Sequence, residues 1–515
     1  MIETEILLPG HSTSVLTVLR GALARLLTRV GVGSLVLVMV HAAPASARPN
    51  VMIIIADDLG WKDVGYNGSE ISTPNIDRLA TDGIELQRYY SQPTCSPTRA
   101  SLMTGLSAPR TGVLQPIDKN LQSGLPRSLK LMPEYFQDAG YRTALMGKWH
   151  LGHAFADQLP NARGFDTSYG NLLGGIGYWD HVHGGGLDWH RDGQTLREEG
   201  YVTHLLSREI TSYLSDAESS TPFFLVASFT APHKPNEAPA DTVQRYRQLD
   251  NPQRRTHAAM VDELDQAIGQ VLQALEDARL SDNTLVWFIS DNGGLLPGAI
   301  FPQLQPVLER LSQWFPPPWN TDTFEFMRSN IMDGGSDNGP FRRGKGSIYE
   351  GGIRVPSAIY WPGTIAAQTL DQRVTVQDVM PTVLQAAGIT LPGSTTLDGS
   401  SRWQAVVTGE PFDPTDFVAN GFDGQAYLQG DWKLVVRGTG DEELYQLDND
   451  PTEAHNVIDQ NAAITSELRE KLKRHPRGES IHHNSMLDIV LDPDTFGGQE
   501  VQQPWADAVR SPAMR

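Results

Sequence analysis

Asp57 and Asp58 stand side by side in "IIIADDLG", directly after an apolar run. Adjacent carboxylates ionise together only where a cation or hydrogen-bond donors offset their repulsion. A hard divalent ion with oxygen ligands would do so, and Asp291-Asn292 in "SDNGG" offers further oxygens after a second apolar run. On spacing alone, a pair of turn-forming acids capping the next helix is the favoured reading. Lys148 and His150 alternate in "GKWHLG" as they would on one face of a strand end, and His233 follows an apolar run in "APHKP". "FRRGKGSIYEGGIRVP" carries Arg342, Arg343, Lys345 and Arg354 among glycines, an anion-binding composition that also suits a solvated basic turn.

Cys95 is the only cysteine in the chain, so it has no intramolecular disulfide partner. A zinc site would need further thiols. A cysteine phosphatase would place arginine six positions after the thiol, whereas Arg99 follows by four. The Pro, Thr and Ser residues around Cys95 show no helical or strand period and predict an exposed turn.

These residues need a frame to bring them together. Val51 to Ile55 is a short, continuous apolar run, as a buried parallel strand requires. "STPNIDRLATDGI" (72–84) predicts a helix with proline near its start and glycine near its end. "LMPEYFQDAGYRTALMGKWHLG" (131–152) has the helix–glycine–strand rhythm of a βαβ unit. A helix around "LLSREITSYLSDA" precedes the strand "TPFFLVASFTAPH", and the long amphipathic segment 258–280 precedes "NTLVWFISDNGG". This alternation predicts an α/β fold with a large, mostly parallel sheet and helices on both faces. Chemistry in such sheets gathers beyond the carboxyl ends of the strands, which is where Asp57-Asp58, His233 and Asp291-Asn292 fall.

Residues 48–396 are expected to form the catalytic domain, with a Pro- and aromatic-rich insertion at about 295–337. "AYLQGDWKLVVRGTGDEELYQLDNDPTEAHNV" predicts an antiparallel meander within a smaller C-terminal α+β unit at 397–480, followed by an irregular tail, 481–515. The first 47 residues resemble a secretory signal. Arg20, Arg25 and Arg29 precede the eleven-residue apolar run "VGVGSLVLVMV", and Ala45-Ser46-Ala47 fits a cleavage site before Arg48. A bilayer span needs about 20 apolar residues, so no stable membrane insertion is expected, and the product is exported, periplasmic or extracellular. With 41 basic and 61 acidic residues the net charge is −20, which argues against non-specific nucleic-acid binding. An anionic substrate would then need a local cluster of positive charge.

Cys95-Ser96-Pro97-Thr98-Arg99, continuing Ala100-Ser101-Leu102-Met103-Thr104-Gly105, resembles the signature of the type I sulfatases. The fragments "IIIADDLG", "GKWHLG", "APHKP", "SDNGG" and "RGKGSIYEGGIRVP" follow in that family's order, over about residues 49 to 460. "GKWHLGH" with "RGFDTSYGNLLGGIGYWDH" looks most like the arylsulfatase B (N-acetylgalactosamine-4-sulfatase) branch. The resemblance implies an alkaline-phosphatase-like fold. It also implies conversion of Cys95 to Cα-formylglycine by a formylglycine-generating maturation enzyme. One hydroxyl of the hydrated aldehyde would attack sulfur and displace the alcohol, and the other would expel sulfate. By the same resemblance one Ca2+ is held by Asp57, Asp58, modified Cys95, Asp291 and Asn292. Arg99 steadies the diol, Lys148 and Lys345 bind sulfate, His150 is the base that unmakes the intermediate, and His233 is the acid for the leaving alcohol. A sulfated oligosaccharide or polysaccharide is the implied substrate, with "YWDHVH" (178–183) and the insertion as places for sugar contacts. The alternatives are a phosphatase or phosphonate monoester hydrolase of the alkaline-phosphatase superfamily, or an inactive carbohydrate-binding relative.

Overall fold

The computed structural model describes residues 48–119, 121–183, 186–217, 221–296 and 334–481. The expected signal segment, most of the 295–337 insertion and the tail beyond 481 lie outside the described residues.

The frame is a ten-stranded sheet. Its strands are β1 (Asn50–Ala56), β2 (Ile84–Leu86), β3 (Arg142–Gly147), β4 (Thr167–Gly170), β5 (His190–Arg191), β6 (Gln194–Thr195), β7 (Phe223–Ser228), β8 (Thr284–Ser290), β9 (Ser357–Tyr360) and β10 (Gln368–Leu370). Their order is β10-β2-β9-β8-β1-β7-β3-β4-β5-β6. The central run β8-β1-β7-β3-β4 is parallel throughout, while β9 and β5 join it antiparallel, so the sheet is mixed at its flanks. The apolar run of β1 is buried on both faces. Val51, Ile53 and Ile55 enter one core cluster, and Met52, Ile54 and Ala56 the other. That two-sided burial is why the strand shows no polar alternation.

Helices cover each face. On one side lie α2 (Cys95–Thr104), α3 (Met132–Asp138) and α6 (Val376–Ala386). On the other lie α1 (Pro74–Thr81), α4 (Val202–Ser215) and α5 (Pro252–Asp277). The expected long helix therefore begins at Pro252, six residues before 258. Asn251 caps it by accepting from the backbone N–H groups of Gln253 and Arg254.

The predicted meander is β12 (Gly424–Gln429), β13 (Trp432–Arg437) and β14 (Glu442–Gln446), and the adjoining strand β11 (Phe417–Gly421) completes a four-stranded antiparallel sheet. Phe417, Ala419, Ala426, Leu428, Val435 and Tyr445 pack into the large core, whereas Val418, Tyr427, Leu434 and Leu444 pack with Leu468 and Leu472 of α7 (Ala462–Arg474). This sheet thus alternates between two apolar environments. Among the described residues, no helix is long and apolar enough to cross a membrane.

Candidate active site

Four neighbouring parallel strands deliver the polar residues to one end of the sheet. Asp57 and Asp58 follow β1, Lys148 follows β3, His233 comes five residues after β7, and Asp291 and Asn292 follow β8. Below them sits the N-terminus of α2, whose first residue is Cys95. The exposed turn expected around Cys95 is a buried helix instead: all ten residues of α2 are buried, and Cys95 is 2% exposed. Pro97 fits because it occupies the first turn, where its missing N–H would have had no intrahelical partner.

The structure joins nine of the ten expected site residues by direct contacts in this cluster, and His150 lies beside it, where Lys148 and Arg99 act on its charge. Cys95 Sγ lies 3.5 Å from Asp57 Oδ1. Lys148 Nζ lies 2.6 Å from Asp57 Oδ2, and Lys345 Nζ is 2.6 and 2.7 Å from the two oxygens of Asp58. Arg99 donates from Nε and Nη2 to Asp291 Oδ2 at 3.1 and 2.9 Å, and from Nη1 to the Lys148 carbonyl and Ser228 Oγ at 2.7 Å each. His233 Nε2 faces Asp58 Oδ2 at 3.6 Å. Asn292 donates from Nδ2 to Asp58 Oδ1 at 2.7 Å. Two residues hold left-handed backbone, Asp58 at φ 67° and His150 at φ 59°, a conformation that persists only where surrounding contacts impose it. His150 therefore does not continue the strand alternation expected with Lys148, because β3 has ended at Gly147.

The basic loop divides. Only Lys345 reaches the cluster. Arg342 lies over the Tyr349 ring and bonds Tyr445, Arg343 sits near Asp423, and Arg354 donates to the Gln87 carbonyl.

Charge sets the chemistry of these groups. Burial and Asp291 push the Asp57 carboxyl up to about 7, against Lys148 and Arg99. Burial, reinforced by Asp291, pushes the Cys95 thiol up to about 12, so the thiol itself stays protonated and is a poor nucleophile. Burial, with Lys148 and Arg99, holds His150 well below the usual imidazole range. Burial, with Lys345 and Lys148, does the same to His233. The charged His233 expected near neutral pH is thus disfavoured in the free site.

Ligand atoms of Asp57, Asp58, Cys95 and His233 all lie within 4.8 Å of one another, a spacing that a metal ion could bridge. Asp291 and Asn292 adjoin this group through Asp58. Asn292 Oδ1 is buried without a hydrogen-bond partner, and a neutral oxygen of that kind beside three carboxylates is the donor set of a hard divalent cation.

Several contributors carried no obvious signal in the sequence. Ser228 holds Arg99, and Ser96 Oγ both donates to the His150 carbonyl and accepts from Ile117 N. Gly174 and Gly175 lie against the rings of His150 and His233, and His183 bonds the Gly175 carbonyl. The paired glycines in "LLGGIG" were the available clue, since two successive residues without a side chain suggest close packing.

Residues 49–389 match the family model described as Sulfatase. Mouse arylsulfatase J is 32% identical over 389 residues, covering 73% of this chain, and the chain spans 58% of that relative's length. Human N-acetylgalactosamine-6-sulfatase is 30% identical over 403 residues, covering 74% of this chain and 70% of the relative. Among solved structures, Ps i-CgsB in complex with k-i-k-neocarrahexaose is 28% identical with a TM-score of 0.73, covering 87% of this chain and 99% of that one. A family match across most of the sheet and its polar rim, joined to the same fold in a solved relative, places this chain in the type I sulfatase family of sulfate ester hydrolases, with the alkaline-phosphatase-like fold.

Proposed function

We propose that this protein removes sulfate from a sulfated oligosaccharide or polysaccharide, using Cα-formylglycine made from Cys95 and one Ca2+ held by Asp57, Asp58, Asp291, Asn292 and the modified Cys95. The observation that carries the reading is the convergence of Lys148, Lys345 and Arg99 on buried acids at the strand ends of a protein with net charge −20. A carbohydrate substrate is supported by two relatives: an N-acetylgalactosamine-6-sulfatase and a protein crystallised with k-i-k-neocarrahexaose. The leader read at 1–47 assigns the protein to the periplasm or the exterior, after maturation by a formylglycine-generating enzyme.

When present, the hydrated aldehyde supplies an oxygen nucleophile and a route for releasing sulfate, and the calcium ion supplies positive charge beside a sulfate oxygen. The chain's own residues do the rest. Lys148 and Lys345 offset charge developing on the sulfuryl oxygens. Arg99, locked by four hydrogen bonds, fixes the position of Asp291 and adds charge at the α2 N-terminus. His150 Nε2 bonds the Ile117 carbonyl, which can only accept, so Nε2 carries the hydrogen and Nδ1 keeps the lone pair that takes up a proton. His233 Nδ1 donates to the Lys234 carbonyl at 2.6 Å, leaving Nε2 to deliver a proton to the departing oxygen. The bound anion offsets Lys345 and Lys148 and so favours the charged form of His233 in the complex.

The test is mass spectrometry of the peptide containing Cys95, together with sulfate release from a panel of sulfated glycans. Expected are aldehyde in place of thiol, calcium-dependent release, and none from Cys95→Ala. Full activity with an unmodified thiol overturns the reading.

A further inference from the structure

We infer that Gly174-Gly175, held from behind by His183, is a positioning strap that sets the orientation of both His150 and His233, an inference that rests on the sulfatase reading. A Cβ at Gly174 would stand 2.8 Å from Cε1 and 2.9 Å from Nε2 of His150. A Cβ at Gly175 would stand 2.6 Å from Nδ1 and 2.7 Å from Cε1 of His233. Neither approach leaves room for a methyl group, so consecutive backbone units lie against the two imidazoles.

The strap is anchored along its length. Trp149 N and His150 N donate to the carbonyls of Asn171 and Leu172 at 2.9 and 3.0 Å. Asp188 accepts from Leu172 N and Leu173 N at 3.0 and 2.9 Å, and Asn171 Nδ2 donates to the Leu173 carbonyl at 2.8 Å. Gly175 is fixed by the Nδ1–H of His183, which donates to its carbonyl. Three residues on, Tyr178 Oη donates to the His233 carbonyl at 2.9 Å, so the same segment grips His233 at ring and backbone. The task of His183 is to donate one hydrogen bond.

The two glycines therefore act on different proton transfers. When the ester S–O bond breaks, its electron pair passes to the departing oxygen, which takes the proton from His233 Nε2. Gly175 controls that step, and Gly174 controls proton uptake by His150 afterwards. Help from an acid matters most when the leaving oxygen is basic.

The experiment compares mature wild type, Gly175→Ala, His183→Ala and His183→Asn on aryl sulfates graded from 4-nitrophenyl to 4-methoxyphenyl, with thermal melts of each. Gly175→Ala is expected to lose about 100-fold in kcat/KM on the most basic leaving group, a general-acid-sized effect, and only a few-fold on 4-nitrophenyl sulfate. His183→Ala should show the same steepened dependence in weaker form, and His183→Asn, whose amide can donate in place of Nδ1, should restore it. Equal losses across the series, or none in a folded His183→Ala, overturn the strap while leaving the sulfatase reading intact. A mature wild type inert both to this series and to the panel of sulfated glycans overturns both.

Discussion

Arg99 shows why residue type alone understates a buried ion pair. Its side chain is 2% exposed and satisfies Asp291, the Lys148 carbonyl and Ser228 together. Lysine would keep the charge but has a single nitrogen at a different reach. Arg99→Lys is therefore expected to destabilise the fold by about 1–3 kcal/mol for each buried acceptor left without a donor. Arg99→Ala should lose about 3–5 kcal/mol, because Asp291 is left as an uncompensated buried charge. Urea melts of the two variants check the order: Arg99→Lys as stable as wild type would show that charge alone is what Arg99 supplies, and equal losses in both variants would show that the charge itself contributes nothing. At this scale the sequence exposed the charged residues well, since Asp57-Asp58, His233 and Asp291-Asn292 stand at predicted strand ends. It could not show their environment. That Lys345 alone of the basic loop reaches the cluster depends on Tyr349 within the same stretch and on Tyr445 and Asp423 from the four-stranded sheet region, which occupy Arg342 and Arg343.

Elements were legible where burial was one-sided or strands were long. The strands β1, β3, β7 and β8 and the helix α5 follow from apolar runs and period. Helix α2 did not, for a physical reason: with all of its residues buried it has no polar face, so no 3.6-residue contrast exists to be seen. A second unseen feature joins α5 to the site. Asp63, fully buried, accepts from Gly60 N at 3.0 Å, Ser336 Oγ at 2.8 Å and Asp337 N at 3.0 Å, and also holds His257 and Arg254 of α5. Ser336 Oγ also lies 3.2 Å from the Asp58 carbonyl, so the helix, the acid pair and the loop leading to Lys345 meet around one carboxylate. Although burial opposes ionisation, His257 and Arg254 hold Asp63 far below the ordinary carboxylate range. A depressed acid contributes stability that is full above its unfolded value of 3.8 and lost as pH falls through the folded value. Asp63→Asn should then be less stable by about 3 kcal/mol near neutrality. In urea melts that gap should stay constant down to about pH 5 and narrow below about pH 4. A gap independent of pH to the acid limit would mean that the carboxylate charge is not what ties these elements.

Across the whole molecule, three distant segments meet at Lys433 of β13. Its Nζ is 3.0 Å from Glu350 Oε1 and 2.7 Å from Glu453 Oε1, with all three side chains buried. Glu350 opens the helical turn that follows the Lys345 loop, accepts from Tyr90 Oη at 2.6 Å, and receives Glu453 Oε2 on its backbone N–H at 2.7 Å. This contact fastens the four-stranded sheet to the segment that carries Lys345, and one lysine faces two carboxylates. The imbalance divides the acids. Despite burial, Lys433 and Arg354 hold Glu350 low, whereas burial and Glu350 push Glu453 up to about 7 even against Lys433. The sign for Glu453 is opposite to that of Asp63. Its folded form binds a proton more tightly than the unfolded value of 4.5 allows, so its contribution is full below 4.5 and is lost as pH rises to about 7. Wild-type stability should therefore decline over that window by at most about 1.4 kcal/mol per pH unit from this group. Glu453→Gln should flatten the decline and match or exceed wild type at pH 8. Glu350→Gln should instead lose about 3–5 kcal/mol near neutrality, because it removes the ionised partner of Lys433. Denaturant titrations from pH 5 to 8 separate the two. If both variants lose stability equally at pH 8, the two carboxylates share the charge evenly, and the sheet is held by a symmetric pair rather than by Glu350 alone.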